Sequence, residues 1–308
     1  MTALREVAAH IPPAVPLEAL SERLGLTTLQ TRIFRRLHGL ERIAVGDDEP
    51  WGEMLLRAAS GLRGLDAAAD RVRYVIAGRT LAYAVPRDQQ PLAEVAEKLG
   101  LTGAVTFSVT ELACASGLFA VDLAGRLLEA DGDPDALALV FSGEKAFTPS
   151  IQHAPETTIM GEAVAACLVA ADGVSDRVLS YVTETHGEFY REQDDPAVAA
   201  AFREVYPGFV ADIATEAVHQ AGLDWDDIQI VLPHNVNKVS WIQVAKLLQL
   251  PPDRIYLDLV PAYGHCFSAD PFLNYLAARE AGRLTAGRPY LMVTAGLGAV
   301  ATAMVLCH

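Results

Sequence analysis

Two segments of this chain are near copies of each other. Glu162–Val169 reads EAVAACLV and Gly298–Val305 reads GAVATAMV. Each follows an earlier apolar run, Ala138–Phe141 and Leu291–Thr294. Runs that stay apolar at every position suit strands covered on both faces, because a strand with one wet face alternates instead. A short apolar match arises by chance, so the order of the flanking elements decides. Before the first copy the pattern predicts helix Trp51–Ala69, strand Arg71–Ala77, helix Leu92–Leu99, strand Ala104–Val109, helix Ser116–Ala130 and strand Ala136–Phe141. Before the second it predicts helix Phe209–Ala221, strand Ile228–Leu232, helix Val239–Leu248, strand Arg254–Leu257, helix Pro271–Glu280 and strand Tyr290–Thr294. The same alternation twice makes this an α/β chain built of duplicated halves, residues 1–172 and 173–308. The polar turn-rich stretch 171–177 (ADGVSDR) divides them, and with no Pro/Ser linker the halves share one core. Polar stretches 150–160 and 183–198 read as insertions, with 192–196 exposed.

The 308 residues supply enough apolar material for that core, at 51% hydrophobic and a mean hydropathy of +0.22. That composition excludes a disordered chain. The formal charge of −15 argues against nucleic-acid or anionic-membrane partners. Four cysteines, with no C-x-x-C pair and no zinc-site spacing, predict reduced thiols and no metal. Residues 1–20 lack a basic region followed by an apolar core, so no secretory signal is expected and the protein is read as cytoplasmic. The long apolar stretch 291–307 is broken by Thr294, Gly296, Gly298 and Thr302, and reads as two strands about a glycine turn rather than as a membrane span.

Four segments carry residues suited to chemistry. In VTFSVTELACASGLF (105–119) a strand runs into Cys114 and small residues then open a helix. Amide N–H groups and the positive end of the helix dipole favour a thiolate there, although buried structural cysteines are common. His234 and Asn237 stand at the end of an apolar strand in LPHNVNK (232–238), where ligand sites of α/β sheets gather; a hydrogen-bonded structural histidine also fits. His265 follows a glycine in VPAYGHCFSAD (260–270), a turn that mirrors the one at Cys114. The AGLGA turn (295–299) can aim a backbone N–H at an oxyanion or be a plain hairpin. Asp270 before Pro271 is read as the N-cap of the following helix; the alternative is a carboxylate that orients a histidine.

Taken together these residues resemble one family, the ketoacyl-acyl-carrier-protein synthase III group of thiolase-fold condensing enzymes. The likeness runs from about Gly39 to His308 and is densest over LPHNVNKVSWIQVAKLLQLPPDRIYLDLVPAYGH, 232–265. It implies a thiolase-like fold, with βαβαβαββ halves stacked as five αβαβα layers, and a homodimer. It implies Cys114 as the acyl-accepting nucleophile and His234 as stabiliser of an enolate or as base. It implies an oxyanion hole made by the backbone of Cys114 with that of Leu297 or Gly298 in the 296–298 loop. His265 stands where this group has asparagine, and a Cys-His-His set occurs in the related elongating enzymes.

No tryptophan lies in 28–36 and Val239 replaces a common arginine, which weakens the implied coenzyme A grip. Arg32, Arg35, Arg36, Lys238 and Lys246 form the implied landing site for an acidic acyl carrier protein. Asn237 and Asp270 are supporting candidates. The implied activity is acyl transfer without a resident cofactor, from acyl carrier protein or acyl-coenzyme A thioesters. The acyl group on Cys114 then joins a malonyl-type thioester by decarboxylative condensation, in specialised polyketide- or fatty-acid-like metabolism. The alternative is transfer to a hydroxyl or amine, and a third reading is a non-catalytic partner subunit.

Overall fold

The computed structural model describes residues 1–81, 90–154, 156–191 and 194–308. Within the expected insertions, Pro155, Glu192 and Gln193 therefore lie outside the described residues.

The first half contributes β1 (Ala3–His10), β2 (Val72–Gly78), β3 (Val105–Val109), β4 (Leu137–Glu144) and β5 (Ala163–Ala170). The second contributes β6 (Arg177–Thr185), β7 (Val231–Pro233), β8 (Pro289–Gly296) and β9 (Val300–Cys307). Among the described residues these strands join in the order β7-β8-β9-β6-β1-β5-β4-β2-β3. The two halves touch edge to edge at one residue pair, Ala3 with Arg177. The repeated octapeptides are β5 and β9. Each is the last strand of its half and lies antiparallel between the strand before it in that half and the first strand, all eight residues of β5 being buried.

Seven helices fill the layers: α1 (Thr28–Ile33), α2 (Trp51–Ser60), α3 (Pro91–Lys98), α4 (Ser116–Asp131), α5 (Pro196–Gln220), α6 (Lys238–Leu247) and α7 (Asp270–Glu280). Leu118, Val121 and Leu128 of α4 meet Phe272, Leu273 and Tyr275 of α7 between the sheets. Met54, Leu55 and Val95 cover the outer face of the first sheet, and Ile213, Val218, Trp241 and Val244 that of the second. The stack is therefore helix, sheet, helix, sheet, helix, which is the thiolase fold.

Several expected elements change. Strand Arg254–Leu257 shrinks to a single parallel bridge between Ile255 and Val231. Pro251 and Pro252 have no N–H to give a ladder, and 252–254 forms a 3₁₀ turn instead. Helix α5 begins thirteen residues before the expected Phe209, since Asp195 caps it at the Ala197 N–H (2.9 Å) and it runs through Pro207. The stretch 183–198 is no simple insertion, because it holds the end of β6 and the start of α5. Strand β1, the centre of the whole sheet, was not expected at all. Among the described residues no helix is long and apolar enough to cross a membrane.

Candidate active site

Cys114 lies on a 3₁₀ turn, Ala113–Ala115, between β3 and the N-terminus of α4. Ala113 takes φ +46° to make that turn, a left-handed conformation that costs a non-glycine residue energy and that cores tolerate mainly at functional positions. The thiol is buried against Ala146, Met160 and Phe267. The Thr80 hydroxyl donates to Sγ at 3.4 Å. Thr80 is itself fixed, because the buried Glu144 carboxylate accepts from the Thr80 and Leu81 N–H groups (2.9 and 3.0 Å) and from Arg79 (3.0 Å). Burial pushes the Glu144 carboxyl up against the opposing pull of Arg79.

His265 faces Cys114 from the other half. Its Nδ1 lies 2.5 Å from Asp270, which leaves Nε2 as the nitrogen for the thiol. Burial would lower this imidazole's pKa, but the Asp270 carboxylate and the charge on Cys114 prevail and raise it to about 10. His265 is thus an imidazolium at neutral pH. His234 differs. Its ring centroid is 5.6 Å from that of His265, and burial, then the neighbouring positive charge, push its pKa well below 6.5. It is a neutral imidazole, and its Nε2 meets the Tyr206 hydroxyl at 2.6 Å.

Asp270 is not the cap expected for α7. It is the first residue of that helix, Ala269 holds the cap position, and the cap makes no side-chain bond. The carboxylate turns inward and accepts from Asn235 N (2.6 Å), Asn235 Nδ2 (3.1 Å) and Cys266 N (2.8 Å) as well as facing His265. A buried carboxylate needs that many donors, so it fastens the His234 turn to the His265 turn. Asn274 continues the link, donating to Asn235 Oδ1 (2.9 Å) and Pro233 O (2.6 Å).

Asn237 stands outside the trio and caps α6, accepting from Ser240 N at 2.8 Å and donating to Thr157 O at 3.1 Å. In the glycine loop the residue set against the nucleophile is Gly296, where a Cβ would come within 2.5 Å of Leu112 O and 3.0 Å of Cys114 N. The expectation had named Leu297, which is 44% exposed, and Gly298, which turns the loop at φ +80°. Arg32, Arg35 and Arg36 line one open surface pocket of about 370 Å³ with Glu18, which pairs with Arg35 at 2.8 Å. The Lys238 alkyl chain lies over Gly39 just beyond them, and Lys246 is exposed in the last turn of α6.

Sequence reasoning missed Thr80, Tyr206 and Asn235. Thr80 follows the end of a parallel strand, the place where sites of α/β sheets form. Tyr206 gave no such signal, standing before the helix expected from Phe209.

A thiol, two imidazoles and a buried carboxylate meet where the duplicated halves of a thiolase fold face each other. Residues 218–307 match the family model for the C-terminal part of 3-oxoacyl-[acyl-carrier-protein] synthase III. The beta-ketoacyl-[acyl-carrier-protein] synthase III of Acholeplasma laidlawii is 30% identical over 186 residues, 57% of this chain and 58% of that one. The 3-oxopimeloyl-[acyl-carrier-protein] synthase of Rhodothermus marinus is 27% identical across 97% of this chain and 90% of its own. Among solved structures the acyltransferase ChlB3 superposes with a TM-score of 0.86 at 18% identity, covering 99% of this chain and 97% of its own. Residues 218–307 thus match the C-terminal family of synthase III, and the chain spans 58% of the length of the Acholeplasma relative.

Proposed function

We propose that this protein is a ping-pong condensing enzyme. The Cys114 thiolate attacks the carbonyl carbon of an acyl thioester, and the departing pantetheine thiolate takes a proton from the His265 imidazolium. A malonyl-type thioester then loses carbon dioxide, and the enolate formed is stabilised at His234. Its carbon attacks the acyl carbonyl and expels the Cys114 thiolate. The observation that carries this reading is the meeting of a buried thiol with two imidazoles, one of them held by a buried carboxylate, in a single cluster. The acyl group arrives on the phosphopantetheine arm of an acyl carrier protein or on coenzyme A, with no resident cofactor. The arginines of the α1 pocket receive an acidic carrier, and the chemistry serves a specialised pathway in the cytoplasm. A homodimer fits, because β3 is an outermost strand that among the described residues pairs only with β2, and its Val105 is 59% exposed. Sedimentation equilibrium at micromolar concentration tests this, and a monomer refutes it.

The His265–Asp270 contact favours a second reading. A carboxylate at Nδ1 of an imidazole that faces a nucleophile is the geometry of a base oriented for acyl transfer, and it suits transfer to a hydroxyl or amine. Acyl-loaded enzyme given a malonyl thioester distinguishes the two. Carbon dioxide release with product supports condensation. Discharge to an alcohol or amine with no release on any malonyl carrier overturns it.

A further inference from the structure

Nε2 of His234, the atom that should meet the second substrate, is already taken. The Tyr206 hydroxyl sits on it at 2.6 Å, and Trp241 and His265 pack T-shaped against the imidazole, with ring centroids at 5.3 and 5.6 Å. The peptide oxygen of His234 accepts from the Trp241 indole N–H (2.7 Å), which fixes the backbone at this turn, while Nδ1 is buried without a hydrogen-bond partner among the described residues. Tyr206 is anchored as well. Its ring meets Phe202 edge-on at 5.7 Å, and Phe202, Tyr206, Phe209 and Ile213 follow one another along the inward stripe of α5, the last two and Phe202 buried. Burial, with the charge on Cys114, raises the phenol's pKa, so it stays protonated and can donate.

We propose that His234 works through Tyr206, and that the Tyr206 hydroxyl is the group that touches the second substrate in the reaction proposed above. In condensation the phenol O–H donates to the thioester oxygen as it becomes an enolate, while His234 Nε2–H donates to the phenol oxygen. No phenolate forms in that step.

Tyr206→Phe keeps the ring and removes only the hydroxyl. Intact-mass measurement should show Cys114 acylated at the wild-type rate, while discharge to the second substrate falls ~10²-fold, the scale of one lost oxyanion donor. His234→Ala with Tyr206→Phe should be no slower in discharge than His234→Ala alone, since the two act as one unit. Discharge by Tyr206→Phe at or above the wild-type rate overturns the inference, because the phenol would then merely cover His234. Failure of Tyr206→Phe to load also overturns it, by making the role structural. If the wild type itself never acylates Cys114, the proposed function fails instead.

Discussion

Replacing Asp270 by Asn should separate the two halves of the site without changing its shape. The carboxylate faces four nitrogen donors, His265 Nδ1, Asn235 N, Asn235 Nδ2 and Cys266 N, at 2.5–3.1 Å. An amide turns one of its two acceptors into a donor, so whichever way it flips an NH₂ opposes an N–H. Leaving one member of a buried pair uncompensated costs about 3–5 kcal/mol. In a chain of this size that lowers the melting temperature by on the order of 10 °C. The pH dependence is specific. His265 holds its proton up to about 10 when folded, against 6.5 for an unperturbed imidazole, so the pair's contribution is complete below pH 6.5 and is lost as pH rises through 10. The stability gap between wild type and Asp270→Asn should therefore be widest near pH 6 and narrow toward pH 10.5, read as the difference between urea midpoints. Without the carboxylate, only Cys114 opposes the effect of burial on His265, so the imidazole's hold on its proton weakens and acyl loading at pH 7 should slow ~10²-fold or more. A gap that stays constant from pH 6 to 10.5, or loading at the wild-type rate, would falsify the claim that Asp270 keeps His265 charged.

Cys114→Ala should abolish the covalent acyl adduct in intact-mass spectra and leave the melting temperature within a few degrees, because Ala113 and Ala115 already flank the site with small side chains; a retained adduct refutes the nucleophile. Gly296→Ala would drive a Cβ into Leu112 O and Cys114 N, so loading should fall ~10²-fold or more, and normal loading kinetics would show that this loop does not frame the oxyanion. Changing Arg32, Arg35 and Arg36 together to Glu should raise KM for a carrier-borne acyl group at least ~10-fold at low salt, with little effect on a short acyl-cysteamine thioester. Equal effects on both substrates would remove the pocket from carrier recognition.

The parts of this molecule legible in sequence are those whose pattern is local. The almost wholly buried strands β4, β5, β8 and β9 and helices α3, α4 and α7 fall within a few residues of expectation, because double-sided burial leaves little choice of residue type. Strand β1 was overlooked since its sequence, ALREVAAH, mixes charges into a strand exposed at Arg5 and half-buried at Glu6. Glu6 then reaches Arg63 N and Gly64 N (2.7 and 2.9 Å), a contact 57 residues away that no window reveals. The site divides the same way. Cys114, His234 and His265 announce themselves by strand ends and small neighbours, whereas Asp270 was misread because Asp-Pro is a good cap in isolation. What overrides that preference is tertiary: Asn235, 35 residues earlier, offers its carboxylate two donors.

The duplication explains why these residues and not others were free to become a site. Ala113 before Cys114 and Phe267 before Ser268 both take positive φ, +46° and +53°, and both open a 3₁₀ turn leading into a central helix. The frame around the two turns matches. Thr294 of β8 donates to Cys114 O at 3.2 Å, and Ser142 of β4 donates to Ser268 O at 2.7 Å. Ser268 thus occupies the position of Cys114 in the second half, and Ser116 that of Asp270 in the first. The second half spends its hydroxyl on structure, with Ser268 Oγ donating to Gly78 O (2.9 Å) and accepting from Gly143 N (2.9 Å). A nucleophile so tied at both ends has no lone pair or proton left for a substrate. One strained turn thus carries the nucleophile while its twin locks the halves together, and His265 and Asp270 flank that twin, which faces Cys114 across the interface.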